Sequence, residues 1–379
     1  MTQERSFRVE ICRDINLISS STWNSVVEAA FGSSFYSYEW LKAYQETAPH
    51  QSQAYHLLAY CESQLVGILP LFLTRACPRL TAHRKYLVEN EPDLAEPFLL
   101  GHTFYSYYGG PLFSSTDPEL LSFMMDAFEN LAHNLGVDVF GLVNVPENNT
   151  PLVDHLRSKQ YAVRYISSSM FLPIEWSSFD EYLHNLPKIR RRNIVRADQK
   201  ARECGLTFEW VDQPTDYDEL EVLNKKTLIK YRHVEVNLYP PTYLKAIKEA
   251  MQQKFKLLLV KDSQGNLVRY SLILDFNKCL QPWIAGIDYE TINKYEHSRF
   301  LYNILIRHAI EEGYREIDMG RGAYRFKERY GFLRRVLFLA LKSGSSEKVL
   351  EVDRWSRELE ISSLKRYNSQ FSEIKDHSK

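Results

Sequence analysis

The chain has 379 residues, 44% hydrophobic and 25% charged, and its formal net charge is −1. So balanced a charge excludes a global pull toward nucleic acid or anionic lipid and leaves only local patches to supply one. Five scattered cysteines, with no Cys-x-x-Cys pair and no His/Cys cluster at metal spacing, speak against a disulfide framework or a metal site and for reduced thiols. The start, "MTQERSFRVE", lacks the apolar h-region of a signal peptide. The longest apolar runs, such as "GILPLFL" and "VLFLAL", fall far short of the roughly 20 residues that span a bilayer. The expectation is a cytoplasmic protein with no transmembrane segment and no DNA partner.

In chain order, "AYHLLAY" and "LVGILPLFL" read as strands separated by the turn-like "CESQ". After an irregular stretch and the aromatic "YSYYGGPLF", "DPELLSFMMDAFENLAHNLG" reads as a helix capped by Asp117, with Pro118 at its first position and Gly136 closing it. Leu120, Met124, Phe128, Leu131 and Leu135 share its apolar face. The strand "VDVFGLVNV" follows. A helical stretch from Phe179 to Cys204 is expected, with Pro187 a kink, preceded by the short apolar strand "MFLPI". Two more helices, "YDELEVLNKKTLIKYR" and "PTYLKAIKEAMQQK", come next. "KFKLLLV" and "LVRYSLILDF" flank the hairpin turn "KDSQGN", and "LQPWIAGIDYE" is the next strand. "HSRFLYNILIRHAIEEG" is a helix and "REIDMG" the strand after it. Past the last strand, "RRVLFLAL", the tail from Ser346 reads as one amphipathic helix carrying Val349, Val352, Trp355, Leu359 and Leu364. Hairpin, strand, helix, strand thus occurs twice, a repeat of architecture with little identity of letters. The expected fold is α/β (α+β), with units at 1–170 and 171–345 and a C-terminal helix at 346–379.

One segment stands apart. "GRGAYRFKERYGF", Gly320 to Phe332, gathers Tyr324, Phe326, Tyr330 and Phe332 with Arg321, Arg325, Lys327 and Arg329 just beyond a strand. A solvated loop does not need those rings, and a core segment does not need those cations. A second concentration of charge lies at 188–202, where seven cations stand against Asp198 and the adjoining Glu203; Arg192, Arg196 and Lys200 fall at i, i+4 and i+8 on one helical stripe. That stripe is suited to a tRNA backbone, a nucleotide pyrophosphate or an acidic carrier protein, or is simply a solvated face.

The combination of "FYSYEWLKAYQE", "LVGILPLFL", "LPKIRRRNIVRADQKARECGL" and "HSRFLYNILIRHAIEEGYREIDMGRGAYRFKERYGF" resembles the FemAB-like acyltransferases. More closely it is similar to the CelD (BioF2-like) branch of the GNAT (Gcn5-related N-acetyltransferase) superfamily, over about Phe7 to Leu341. The resemblance implies tandem GNAT-like subdomains, each a mixed, mostly antiparallel sheet flanked by helices, with N-acyl transfer in the second. It implies no tightly bound cofactor, and as co-substrate an acyl-CoA, an acyl carrier protein or an aminoacyl-tRNA. The acceptor is a small-molecule amine or a peptidoglycan-type precursor. The glycine-rich loop that holds the CoA pyrophosphate in general GNAT proteins is absent; that position reads "KYEHSRFL". The donor therefore stays open, as does a catalytically inactive binding protein for a carrier, a nucleotide-linked precursor or RNA.

By the same resemblance, Phe326 and Lys327 match an aromatic–lysine pair whose ammonium is expected beside the phosphate or oxyanion of the substrates. The oxyanion donor would be a backbone N–H of the strand around Gly286, where the glycine permits a bulge or a close ligand approach. Asp318 is a candidate to deprotonate or orient the amine, or to cap a turn, and Tyr324 a candidate acid for the leaving group, with Tyr330 and Tyr302 as rivals. His297, Ser298, Arg299 and Arg321, together with Arg192 and Arg196, are candidates for the donor side. No metal ligands are expected.

Overall fold

The computed structural model describes residues 6–47, 52–74, 97–101, 106–115, 117–212, 217–230, 241–289 and 294–372, with the side chains of 217, 218, 228, 241, 294–298 and 370–372 left out. Contacts divide the chain into two units, one made of residues 1–169 and 335–379, the other of 170–334. The chain leaves the first within a single strand and returns to it within another.

In unit 1, β1 (Phe7–Cys12), β3 (His56–Cys61), β4 (Gln64–Leu69) and β7 (Leu112–Phe113) form one sheet, and β2 (Gln53–Ala54), β5 (Phe72–Thr74), β6 (Phe98–Gly101) and β8 (Val139–Pro146) belong to a second. Helices α1 (Ser20–Ala29), α2 (Tyr38–Thr47), α3 (Pro118–Asn134) and α4 (Thr150–Ser158) accompany them. Helix α3 starts and stops where the sequence directs. Asp117 accepts the Glu119 N–H at 3.0 Å, Pro118 occupies the first turn, and Gly136 closes the helix at φ 62°. Its Leu120, Met124, Phe128 and Leu131 are buried in a core with Phe140, Leu142 and Tyr161.

In unit 2 the strand order is β10 (Thr207–Val211), β11 (Phe255–Lys261), β12 (Leu267–Phe276), β13 (Cys279–Ile287), β14 (Glu316–Asp318) and the end of β9 (Ala162–Pro173). The ladders are antiparallel except β13–β14, which is parallel. Helices α5 (Phe179–Asn185), α6 (Lys188–Glu203), α7 (Tyr217–Lys230), α8 (Pro241–Met251), α9 (Lys294–Glu311) and the single turn α10 (Tyr324–Glu328) complete it. Pro187 breaks the expected long helix in two: it drives Leu186 to φ −89°, ψ 149°, and α6 begins after it. Strand β15 (Leu333–Ser343) leads back to unit 1 and pairs there with β8.

The tail helix α11 (Val349–Ser372) belongs to unit 1. Its Val352, Trp355 and Leu359 pack on Phe98, Leu100, Val139, Val143, Leu339 and Leu341, covering β6, β8 and β15. Val349 and Leu364, expected on the same apolar face, are instead 51% and 40% exposed. Trp355 is 2% exposed. Trp355→Ala is expected to cost about 3–5 kcal/mol of stability, measured by denaturant unfolding.

Candidate active site

The site is built at the C-terminal end of β14, where α/β folds place ligands. The parallel ladder between β13 and β14 holds only two pairs, Cys279 with Glu316 and Leu280 with Ile317. Beyond Leu280, β13 runs on to Ile287 with no strand against that edge among the described residues. The Asp288 N–H bonds to the Val268 carbonyl, which fixes the alternation of the β12–β13 ladder: Tyr270 with Gly286 is a hydrogen-bonded pair, and Ala285 and Ile287 turn their N–H groups away from β12. The Ile287 N–H is taken by Thr227 Oγ1 of α7 at 2.8 Å. The Ala285 N–H lies on the same side, along the open stretch.

Gly286 is not the bulge. The register shift places the extra residue at Trp283, between Ile284 opposite Leu272 and Pro282 opposite Ile273. Gly286 is a glycine because Tyr270 covers it: a Cβ there would stand 2.2 Å from Tyr270 Cε1 and 2.8 Å from the Leu223 Cβ. Its role is close packing beneath Tyr270 and beside Leu223.

Asp318, fully buried, ends β14. One carboxylate oxygen accepts the Gly320 N–H at 2.9 Å and the other faces Gln281 Nε2 at 3.4 Å, so its side chain ties β13 to the turn just where the ladder stops. After it the backbone turns left-handed at Gly320 (φ 59°), Gly322 (φ 76°) and Ala323 (φ 49°). Lys327, 3% exposed, sends its ammonium back into that turn and donates to the carbonyls of Met319 at 2.8 Å and of Gly320 and Arg321 at 3.0 Å each. An ammonium has three donors, and three carbonyls receive them. The expectation of an ammonium aimed at a substrate oxyanion is therefore redirected: Lys327 shapes the turn. Burial draws its pKa down to about 7, the Asp318 carboxylate opposing. Only the protonated form can supply all three hydrogen bonds.

The rings of this segment are anchors. Phe326 meets Tyr302 of α9 edge-on at 5.1 Å, and Tyr330 and Phe332 lie 5.0 and 5.9 Å from the same ring. Tyr330 donates to the Arg299 carbonyl at 3.4 Å, and burial pushes its pKa up. Tyr324 is buried at the start of α10. Arg190 of α6 donates to the Glu328 carbonyl at 2.8 Å, closing the last turn of α10. The structure thus brings together Asp318, the backbone at Arg321, Tyr324, Phe326, Lys327 and α9 at Arg299. Arg192 and Arg196 are exposed on α6. The side chains of His297 and Ser298 lie outside the described residues. Gln281 and Thr227 escaped sequence reading, although Gln281 is the one polar side chain near the start of an otherwise apolar strand, "CLQPWIAGI".

Unit 1 closes the equivalent place. There β6 runs parallel to β8 over Phe98–Gly101, and Asn144 is the extra residue of a bulge at φ 63°. The Ser106–Gly110 segment bonds to it: Gly109 N–H to the Asn144 carbonyl at 3.2 Å, and Asn144 Nδ2 to the Ser106 carbonyl at 3.1 Å. A Cβ on Gly109 would come within 2.1 Å of the Val143 carbonyl oxygen, so only glycine allows this approach.

Residues 188–328 match the family described as an acetyltransferase (GNAT) domain. No curated protein matches the sequence. Solved structures of similar fold include FemX, at TM-score 0.60 and 13% identity over 85% of this chain and 96% of that one. Another is the C-terminal domain of a putative lysylphosphatidylglycerol synthetase from Agrobacterium fabrum, at TM-score 0.55 and 11% identity over 91% and 95%. A tandem GNAT protein from the clavulanic acid biosynthesis pathway aligns at TM-score 0.50 and 9% identity over 90% and 99%. The match places a GNAT-type acetyltransferase domain at residues 188–328, and the fold of the chain is similar to that of FemX and of a tandem GNAT protein. Among the described residues no helix is long and apolar enough to cross a membrane, and no group of His, Cys, Asp and Glu could hold a metal ion.

Two substitutions test this geometry. Lys327→Met leaves three carbonyls and the Asp318 carboxylate without their cation and is expected to cost about 3–5 kcal/mol in denaturant unfolding. Gly286→Ala should cost about 1–3 kcal/mol by overpacking against Tyr270, and much less when combined with Tyr270→Ala, a coupling that a double-mutant cycle reads directly.

Proposed function

We propose that unit 2 transfers an acyl or aminoacyl group from a thioester or ester donor to a primary amine by direct attack, with no covalent enzyme intermediate. The amine nitrogen attacks the donor carbonyl carbon, the new C–N bond forms and the C–S or C–O bond breaks. The proton lost by the amine balances the one taken up by the departing thiolate or alkoxide. What supports this reading is the β13 edge, which beyond two pairs with β14 meets no strand among the described residues, with the Ala285 N–H turned away from β12 toward it. A carbonyl laid along that edge would meet a fixed donor for the negative charge that develops on its oxygen. Asp318, Lys327 and Gln281 are positioning residues in this scheme, since they hold the turn that faces the edge. Tyr324 is the candidate proton donor to the leaving group.

On the donor side, Arg299 and Arg321 flank the turn, and His297 and Ser298 are the fourth and fifth residues of α9, whose N-terminal dipole favours a phosphate. The lysylphosphatidylglycerol synthetase named among the similar folds keeps aminoacyl donors beside acyl-CoA and acyl carrier protein within the proposal. The acceptor class is a small-molecule amine or a precursor of the peptidoglycan type. The absence of an apolar spanning helix among the described residues fits action in the cytoplasm.

Ala285→Pro deletes the proposed donor while sparing the β12 ladder, because that N–H points away from β12. With a donor and amine pair found by screening CoA thioesters, aminoacyl-tRNA and acyl carriers for thermal stabilisation, kcat should fall by about 10²–10³, whereas Ala285→Ser should retain activity. Full turnover by the proline variant would remove Ala285 from the chemistry.

A further inference from the structure

The outer face of α6 has no assigned partner. Its inner face, Ile194, Ala197 and Ala201, is buried, and α9 holds it: Asn303 donates to the Ile194 carbonyl at 3.3 Å and Arg307 pairs with Asp198 at 3.0 Å. The opposite face exposes Arg192 and Arg196 between Ile189, 67% exposed, and Val195, 50% exposed. These positions follow one another at i+3 and i+4 and form one continuous patch of cations and aliphatic side chains. Because Asp198 is held by Arg307, Glu203 is the only other acid on α6 to offset its positive charge. The helix also adjoins the site: Arg190 closes the turn that carries Lys327.

We propose that this face docks an acidic carrier protein that presents the acyl group as a thioester. The inference rests on the acyl-transfer reading and names the form in which the donor arrives. Three physical arguments select the partner. The patch from Ile189 to Arg196 extends about 10 Å along the helix and sets exposed aliphatic side chains beside its cations, a mixture that a nucleotide pyrophosphate does not call for. Single-stranded RNA is gripped by cations together with stacking rings, and α6 has no aromatic residue. A membrane-surface helix inserts a broad apolar face, but the apolar face of α6 is spent on α9. An acidic helix bearing a few apolar residues complements the patch in both charge and contact.

The test is fluorescence anisotropy with the full chain and a labelled holo acyl carrier protein of the fatty-acid type, beside total tRNA and vesicles of equal phosphatidylglycerol and phosphatidylcholine. The carrier should bind with a strong salt dependence. The pair R192E/R196E should weaken it at least tenfold, and I189S/V195S severalfold with the salt dependence unchanged, both variants melting within a few degrees of the parent. No carrier binding, or binding indifferent to both pairs, overturns the proposal. Binding of tRNA or vesicles that the charge reversal abolishes, with the carrier ignored, assigns the face to those polyanions and also overturns it. A transfer assay separates the two readings. Amide formed from a CoA thioester without carrier binding keeps the acyl-transfer reading and sinks the docking face. Carrier binding through α6 with no transfer from any donor does the reverse.

Discussion

A buried ammonium joined to three successive carbonyls is the constraint on which the rest of unit 2 depends. The turn after β14 passes through left-handed conformations at Gly320, Gly322 and Ala323, and at Ala323 that conformation alone costs about 1–2 kcal/mol. Backbone carbonyls turned inward would normally need water. Lys327 replaces the water with a cation of fixed position, and its stem enters from a helical turn anchored by rings on Tyr302. The arrangement accounts for the composition of the segment: rings to seat the turn, glycines to bend it, one cation to bind its carbonyls. Of the other cations there, Arg325 is exposed and Arg321 and Arg329 are half-buried.

The two units use one plan with opposite results. In each, a strand is followed by a helix and a second strand parallel to the first. In unit 1 the chain returns its own Ser106–Gly110 segment to the edge of β8 and consumes the backbone groups there. In unit 2 a side-chain link, Gln281 to Asp318, bridges the two strands at the point of divergence, and beyond it no strand among the described residues pairs with that edge. An unpaired strand edge is ordinarily a liability. Here it lies beside a turn held by Lys327.

Elements with strong local signals were legible in the sequence. The Asp117–Pro118 start of α3, the "KDSQGN" hairpin and the Pro187 break each follow from one residue's backbone preference. The acyltransferase superfamily was legible through the segment around Lys327. What could not be read was where side chains aim. Lys327 in a sequence of cations and rings suggests a ligand contact, whereas its carbonyl partners lie six to eight residues back and meet it only because three left-handed residues fold the turn. Gly286 suggested a bulge or a close ligand approach, but the cross-strand neighbour that covers it, Tyr270, is set by register, a property of two strands at once. Strand β9 was seen only at its apolar end, since "RYISSS" carries serines that are buried at Ser168 and Ser169 by tertiary context.

The path of the chain has a consequence for biosynthesis. Unit 2 is one uninterrupted segment, 170–334, whereas unit 1 needs β15 and the tail helix to cover Val139 and Val143. A ribosome releases everything unit 2 requires while the first 169 residues still lack the part that completes their interior. Domains usually mature from the N-terminus onward; here the later segment is the first to be complete, and the earlier one waits for β15 and the tail helix.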